Sequence, residues 1–250
     1  MGAVLRWSIC LLILVSPAFA DEPPALAAGD LYQAKIFKST QDETQELKYR
    51  LLIPDGYDIA QDTHFPLVLF LHGAGERGAD NRRQLVHGAA QFLKPERRRK
   101  HACFVVAPQC PSGRWWTDSL ESVMELVRQL QADYRIDADR LYVTGLSMGG
   151  FGTFALTTRY PDVFAAAAPI CGGGDPTQAK TLISLPLWVF HGDADRVVPV
   201  GLSRSMIKAI ESGGGMPKYT EYPGVGHDCW TRTYASPDFH EWLFAQKKAR

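Results

Sequence analysis

The sequence predicts an α/β fold in which a mostly parallel central sheet carries helices on both of its faces. Apolar runs such as LVLFL and FVVA are continuous rather than alternating, which is typical of strands buried on both faces. Segments with helical periodicity alternate with these runs, and such alternation favours parallel strands joined by crossover helices. Ligands of such sheets bind beyond the carboxyl ends of the strands, so the residues that follow each strand are the first candidates for function.

The predicted elements follow one another along the chain. Two strands come first, at residues 31–38 and 46–53, and they form a hairpin that ends at a Pro-Asp-Gly turn. Six further strands are predicted from short apolar or β-prone runs, at residues 67–71, 104–107, 141–144, 165–170, 187–190 and 218–222. Helical spacing of apolar residues predicts helices at 81–93, 119–134, 148–159, 202–212 and 239–247.

The N-terminus has the three parts of a secretory signal peptide, which we place at residues 1–20. Arg6 precedes a mostly apolar run at residues 7–15, and small residues follow a Ser-Pro break. The apolar run is too short to span a bilayer, so we expect no stable membrane insertion after cleavage. Residues 21–29 then form a linker, and residues 30–250 form one catalytic domain of an exported, periplasmic or extracellular protein.

Charge and cysteine spacing exclude several classes of function. Lys plus Arg and Asp plus Glu each number 27, and a chain without net charge has no electrostatic attraction to nucleic acid or anionic lipid. The basic run at residues 97–100 is therefore interpreted as a solvated loop or helix end. The sequence contains no C-x-x-C pair and no H-E-x-x-H motif, so we expect no metal and no other cofactor. The glycines after Cys171 do not match the G-x-G-x-x-G motif of dinucleotide-binding sites, because Thr177 stands where the third glycine should be, so nucleotide binding is not expected.

The strand LYVT is followed by the sequence GLSMGG, which places a serine between a strand and a helix. This is a G-x-S-x-G motif in the context that the motif requires. The turn is tight enough to need small residues on both sides of Ser147, and it lifts the hydroxyl to the edge of the sheet. Ser147 is therefore the candidate nucleophile.

A serine hydroxyl needs a base to accept its proton and an acid to orient that base. In this chain order the acid precedes the base, and the loop HGDAD precedes the loop GVGH. We assign His227 as the base and Asp195 as the acid, because Asp195 lies deeper in its loop than Asp193, which is expected to stabilise a turn. His72 and His191 follow strands in His-Gly pairs, and we expect them to brace backbone turns.

An oxyanion hole is expected from two backbone N–H groups. One belongs to Met148, the residue after the nucleophile, and the other belongs to the first glycine-rich loop, HGAGERG. In that loop Ala74 is the preferred donor and Gly75 is the alternative.

Six motifs together resemble those of a known group of enzymes: LHGAGERG, APQCP, GLSMGGFGT, PICGGGD, FHGxxDxVVP and YPGVGH. They are similar to motifs of secreted α/β-hydrolase esterases of the poly(3-hydroxybutyrate) depolymerase-like and dienelactone hydrolase-like group. The resemblance extends from about residue 45 to residue 246. It implies the α/β-hydrolase fold, with Ser147 as nucleophile, Asp195 as acid and His227 as base. Members carry labels such as carboxylesterase, phospholipase and prolyl oligopeptidase-family peptidase, so the resemblance says little about substrate.

These features favour a secreted serine hydrolase that cleaves carboxylic esters of small, soluble substrates through an acyl-enzyme. The alternative is a serine peptidase of the prolyl oligopeptidase family, for which the sequence offers no charged site that would bind a peptide terminus. A minor alternative is a non-catalytic binding protein on a hydrolase scaffold, although such proteins typically lose a member of the triad.

Three tryptophans are candidates for substrate binding at an open site. Trp115 and Trp116 follow the strand FVVA, and Trp230 follows His227, so they form either an aromatic rim or part of the core. The 16 residues from 171 to 186 are too few for a cap domain. We therefore expect short acyl esters to be preferred over palmitoyl esters.

Two pairs of cysteines differ in whether they are able to form a disulfide bond. Cys103 and Cys110 flank one strand, and an extended chain separates them by about 20 Å, far beyond disulfide reach. Cys171 and Cys229 both lie in loops at the catalytic edge and are able to meet. Either a disulfide or two thiols, with Cys171 at a small buried apolar position, is compatible with the sequence.

Overall fold

The computed structural model describes residues 31–39 and 46–248, and in it one sheet of eight strands carries helices on both faces. The predicted signal peptide and linker lie outside the described residues. In chain order the strands are β1 Tyr32–Lys38, β2 Glu46–Leu52, β3 Phe65–Leu71, β4 Phe104–Pro108, β5 Ile136–Leu146, β6 Ala166–Ile170, β7 Trp188–Gly192 and β8 Lys218–Tyr222.

The strands lie in the order β1-β2-β4-β3-β5-β6-β7-β8. The pairs β1–β2 and β2–β4 are antiparallel, and every other neighbouring pair is parallel. The predicted mostly parallel α/β-hydrolase sheet is therefore confirmed. Each crossover returns the chain to the same end of the sheet, so the loops after β3, β5, β6, β7 and β8 all open at one edge.

Seven α-helices connect and cover the strands in the described part of the chain. They are α1 Gly88–Gln91, α2 Pro95–Lys100, α3 Leu120–Asp133, α4 Met148–Arg159, α5 Gly201–Ser212, α6 Trp230–Ala235 and α7 Pro237–Ala245. The basic run of residues 97–100 lies in α2, which, like α6, the sequence reading did not predict. No helix among the described residues is long and apolar enough to cross a membrane.

Side chains from the sheet alternate between two hydrophobic clusters. In β3, Leu67, Leu69 and Leu71 belong to one cluster, whereas Val68 and Phe70 belong to the other. Helices α3, α4 and α5 contribute to the first cluster, and α1, α6 and α7 contribute to the second. Because both faces are covered, the central strands β3, β4 and β6 are apolar at every position, which is why their sequences show no polar alternation.

The predicted helix at residues 81–93 is wrong. Asn81 has a φ of +52°, and a 3-10 helix at Arg83–Leu85 and the short α1 replace the expected continuous helix. The Asn81 side-chain amide donates to the backbone carbonyl oxygens of Lys35 and Tyr49, at 3.3 and 3.2 Å. These tertiary bonds hold the chain against β1 and β2 in a left-handed conformation that a helix cannot contain.

The segment between β6 and β7 stays close to the sheet. It contains one 3-10 helix, Pro176–Leu182, where a cap would be inserted. The edge of the sheet above β5 is therefore open to solvent, as the length of this segment predicts.

Candidate active site

Ser147 lies at a strained turn between β5 and α4. Its φ and ψ are +53° and −116°, a conformation that residues other than glycine rarely adopt. Two glycines make the turn possible: a Cβ on Gly149 would lie 1.9 Å from the carbonyl oxygen of Leu71, and one on Gly145 would lie 2.4 Å from the carbonyl oxygen of Gly149. The glycines of the motif therefore let the backbones of β3 and the turn pack directly together.

The structure brings together the three side chains that the sequence assigns to a triad. The Ser147 hydroxyl lies 3.0 Å from His227 Nε2 and donates to it. On the other side of the ring, His227 Nδ1 donates to Asp195 Oδ2 over 2.7 Å. This is the arrangement that a serine needs if its proton is to pass to an imidazole whose tautomer is held by a carboxylate.

Asp195 is held as an acceptor from several directions. Its Oδ1 accepts from the N–H groups of Val197 and Val198, at 2.8 and 2.9 Å. Burial alone raises the pKa of Asp195, but the hydrogen bonds from His227 and from these two amides outweigh it and bring the pKa below its ordinary value. Asp193 lies in the same loop, and its Oδ1 accepts from the N–H of Gly224 at 2.7 Å, so it stabilises the turn before His227.

The candidate oxyanion donors lie on the two loops beside Ser147. Met148 is the first residue of α4, and Ala74 is the first residue of a 3-10 helix, Ala74–Glu76, that follows β3. The first N–H groups of a helix cannot bond within it, so both residues present donors of the required kind. Gly73 lets this loop lie close to the end of β5, because a Cβ there would lie only 2.9 Å from Leu146 Cδ1. Gly75 is exposed on the same loop.

His72 holds the base of that loop in place. Its Nδ1 donates to the carbonyl oxygen of Gly73 at 2.6 Å, and its Nε2 accepts from the N–H of Cys110 at 2.9 Å. Burial lowers the pKa of His72 to about 4, so the imidazole is neutral near pH 7 and both bonds persist. A histidine in this environment braces the backbone, as its His-Gly context predicts.

The three candidate tryptophans occupy different environments. Trp230 lies with its ring edge-on to His227, with centroids 5.1 Å apart, and Trp115 is 48% exposed and packs against Phe151. Trp116 is only 1% exposed, and its Nε1 donates to the carbonyl oxygen of His72. The interpretation of Trp116 as a rim residue is therefore corrected: it is a core residue, because the 3-10 helix at this point turns its ring inward while Trp115 faces solvent.

Cys171 and Cys229 lie together directly behind the nucleophile. Both are fully buried, and both are free thiols in the structure, as are Cys103 and Cys110. The Cys171 Sγ accepts from the N–H of Ser147 at 3.3 Å. Burial raises the pKa of Cys171 well above its ordinary value, and the contact with Cys229 adds to this effect. The Cys171 thiol is therefore neutral, and it packs with Cys229 in the apolar interior behind the Ser147 turn.

A groove lies along one face of α4 and begins one helical turn beyond Ser147. It has a volume of about 470 Å³, and Phe151, Ala155 and Arg159, which are successive turns of the helix, lie along it. The opposite wall is formed by residues 173–175 and Gln178. Sequence reasoning missed these residues, although the four-residue spacing of three side chains on the helix after the nucleophile was a usable signal.

Comparisons with known proteins agree with this fold. The model of the Esterase PHB depolymerase family matches residues 47–220. Poly(3-hydroxyalkanoate) depolymerase C of Paucimonas lemoignei is 32% identical over 167 residues, which are 60% of this chain and 37% of that protein. The chain thus spans little more than a third of that relative. Acyl-protein thioesterase 1 of Neurospora crassa is 27% identical over 239 residues, with 76% of this chain and 89% of the thioesterase covered.

A solved structure adds a further comparison. A thermostable esterase superposes with a TM-score of 0.84 and 40% sequence identity, covering 88% of this chain and 64% of its own. The family model covers well over half of the residues of this protein, from β2 into β8. The chain therefore belongs to the Esterase PHB depolymerase family of ester hydrolases.

Proposed function

We propose that this chain is an exported serine esterase that cleaves carboxylic esters of small, soluble substrates through a Ser147–His227–Asp195 triad. One observation carries the proposal: the continuous hydrogen-bond chain from Ser147 Oγ through His227 to Asp195, at 3.0 and 2.7 Å. A serine in an ordinary turn has no reason to adopt a positive φ, whereas a nucleophile that must project above the sheet does.

In the proposed reaction Ser147 Oγ attacks the acyl carbon of the ester while its proton passes to His227 Nε2. The N–H groups of Met148 and Ala74 then donate to the oxygen that becomes negative in the tetrahedral intermediate. His227 returns the proton to the leaving alcohol, and the acyl group remains on Ser147. Water, activated by the same histidine, attacks the acyl-enzyme and releases the carboxylic acid.

The groove along α4 is the proposed site for the larger part of the substrate. The N–H of Phe151 bonds the carbonyl of Ser147, so Phe151 stands one turn beyond the nucleophile. Arg159 lies eight residues beyond Phe151, so at 1.5 Å per residue the groove extends about 12 Å along the helix. Its lining is mostly apolar around the Phe151 ring, and Gln178 and Asp175 add hydrogen-bonding side chains, so it suits a compact, largely apolar group that carries a polar substituent. Trp115 packs against Phe151 of this groove, and Trp230 packs against His227.

Chemical labelling tests the proposed nucleophile directly. A fluorophosphonate probe is expected to label the wild-type protein at Ser147, and Ser147→Ala is expected to abolish both labelling and hydrolysis of p-nitrophenyl acetate. Ser205→Ala is the matched control, because Ser205 is an exposed serine on α5. Esterase activity within about tenfold of wild type in the Ser147→Ala protein refutes the assignment.

Substrate comparison separates the esterase from the peptidase. We expect hydrolysis of p-nitrophenyl esters and much slower hydrolysis of aminoacyl anilides, since an amide needs better protonation of its leaving group. A preference for the anilide would contradict the proposal.

A bulky substitution tests the groove. Ala155→Trp is expected to lower kcat/KM for esters with large acyl or alcohol groups and to leave p-nitrophenyl acetate unaffected. Ala132→Trp is the control, because Ala132 is exposed on α3, a different helix. Equal losses for large and small esters in the Ala155→Trp protein would contradict the proposed use of the groove.

Export rests on the N-terminal pattern. We expect the mature protein, recovered from the periplasm or the medium, to begin at Asp21, and N-terminal sequencing measures this directly. A mature chain that still begins at Met1 would contradict the assignment of a signal peptide.

A further inference from the structure

A second histidine contacts the catalytic acid from the side opposite His227. His191, at the end of β7, is fully buried, and so is Ser203 on α5. His191 Nε2 lies 3.2 Å from Asp195 Oδ2 and 2.9 Å from the carbonyl oxygen of Val198, and its Nδ1 lies 2.7 Å from Ser203 Oγ. Asp195 Oδ2 is thus shared by two imidazole rings.

The chemistry of these partners fixes the tautomer of His191. A backbone carbonyl and a carboxylate can only accept hydrogen bonds, so the nitrogen between them must carry a hydrogen. Nε2 of His191 is therefore the protonated nitrogen, and its N–H points between Asp195 and Val198. The assignment follows from the groups that surround the ring rather than from hydrogen positions.

The partners of the other ring nitrogen, Nδ1, show that it accepts a hydrogen bond. Ser203 Oγ lies within reach of both His191 Nδ1 and the carbonyl oxygen of Gly172, the latter at 2.9 Å, but it has one hydrogen to give. Burial lowers the pKa of His191, against the raising effects of Val198 and Asp195, so the ring is neutral near pH 7. A neutral ring with hydrogen on Nε2 has its lone pair on Nδ1, and Ser203 donates to it.

We propose that His191 is a positioning residue for ester hydrolysis, whose Nε2–H holds the oxygen of Asp195 that orients His227. The proposal rests on the proposed function of the triad. Two amide N–H groups hold Oδ1 and two imidazole N–H groups converge on Oδ2, so the carboxylate has no freedom to rotate. The bond from His191 also makes Oδ2 less basic, so the proton that Ser147 gives up stays on His227 and returns to the leaving alcohol.

A series of contacts also connects Asp195 to Ser147 through the scaffold. Ser203 Oγ lies 2.9 Å from the carbonyl oxygen of Gly172, and Gly172 packs against α4 so closely that a Cβ on it would lie 2.5 Å from the carbonyl carbon of Gly150. From Gly150 the first turn of α4 leads back to Ser147. His191 thereby closes a ring of contacts that fixes the distance between Asp195 and the catalytic turn.

A matched pair of substitutions separates hydrogen bonding from packing. His191→Gln places an amide NH₂ near the position of Nε2, so it can still donate to Asp195 and Val198. His191→Asn places its amide near Nδ1 and cannot reach Asp195. In p-nitrophenyl acetate hydrolysis, normalised to sites labelled by fluorophosphonate, we expect His191→Asn to lower kcat about 10- to 100-fold with KM within twofold. His191→Gln should stay within about fivefold of wild type.

Each outcome decides the proposal. Equal losses in the two variants, or a His191→Asn enzyme with kcat within threefold of wild type, overturn it, because the donor to Asp195 then has no special role. If Ser147 is not labelled in the wild-type protein, the proposed function fails and the role of His191 fails with it.

A spectroscopic measurement on wild-type enzyme covers the case in which His191→Asn does not fold. Long-range ¹H–¹⁵N spectra of ¹⁵N-histidine-labelled protein report the tautomer of each ring, and the signal missing from His191→Gln identifies His191. We expect hydrogen on Nε2 and not on Nδ1 at pH 7. Hydrogen on Nδ1 alone overturns the proposal.

Discussion

Replacing Asp195 by asparagine tests the electrostatic centre of the site. Four donors converge on this carboxylate: the N–H groups of Val197 and Val198 on Oδ1, and the imidazoles of His191 and His227 on Oδ2. An asparagine offers one oxygen and one NH₂, so it must turn the NH₂ toward a group that itself donates. The two backbone amides cannot reverse their roles, and the oxygen therefore faces them.

The NH₂ of the substituted side chain then faces the two histidines. His227 can satisfy it only by carrying its hydrogen on Nε2 and accepting at Nδ1, so the nitrogen 3.0 Å from the Ser147 hydroxyl is protonated and cannot accept from it. Ser147 then loses its proton acceptor. The imidazolium that forms on His227 during the reaction also loses its negative partner, and because the side chain at position 195 is fully buried, water cannot replace that charge. We expect kcat to fall about 10⁴-fold, which corresponds to an increase of about 5.5 kcal/mol in the activation free energy.

The assay compares initial rates of p-nitrophenyl acetate hydrolysis at pH 7.5 with folding checked by circular dichroism. Asp193→Asn is the matched control, because Asp193 lies in the same loop and its Oδ1 accepts one backbone N–H, which the amide oxygen of asparagine also accepts. We expect this variant to stay within about fivefold of wild type. The reasoning is refuted if Asp195→Asn retains more than a tenth of wild-type kcat, or if Asp193→Asn is the more damaged enzyme.

Three further predictions concern the fold and the substrate. Burial lowers the pKa values of His72 and His240 to about 4, so unfolded chains bind protons that the folded protein does not, and the free energy of unfolding should fall as pH drops from about 6.5 toward 4. Calorimetry should show a smaller fall in Tm between pH 7 and pH 5 for His240→Phe than for the wild-type protein; an equal fall in the two proteins contradicts this. Gly149→Ala should yield less than a tenth of the labelled enzyme obtained with Gly201→Ala, where a Cβ meets nothing within 4 Å; similar yields contradict the tight turn. Acetyl and butyryl esters should be hydrolysed with higher kcat/KM than palmitoyl esters, and an optimum at twelve carbons or more contradicts the open site.

The central strands and the helix after Ser147 could be predicted because their signals are local. A continuous apolar run indicates burial on both faces wherever it occurs, and the limits of α4 and β8 agree with the predicted ones. The G-x-S-x-G motif is a local signal too, because its residues are contiguous, although the contact that demands glycine at 149 is made with Leu71 of β3. These elements could be predicted because the residues that indicate them are contiguous in the sequence.

The errors have causes that lie far away in the sequence. The helix expected at residues 81–93 is broken because Asn81 bonds backbone carbonyls of β1 and β2, 46 and 32 residues earlier. Trp116 is buried because Gly152 leaves room for it: a Cβ there would lie 2.7 Å from Trp116 Cβ. Neither neighbour is visible from the local pattern, so an exposed and a buried tryptophan in the sequence WW cannot be told apart.

The chemistry of this protein follows from the order in which its strands lie. Ala74 follows β3, Ser147 follows β5, Gly172 follows β6, Asp195 follows β7 and His227 follows β8. In the sheet these strands are consecutive neighbours, so residues up to 153 positions apart in the sequence meet at one edge. Because neighbouring strands end side by side, a short loop after each one is enough to bring its functional group next to the group on the adjacent loop. Because each group follows a separate strand, a shift of one loop would move that group alone, and the four hydrogen bonds that Asp195 accepts hold it within its loop and connect it to His191 and His227.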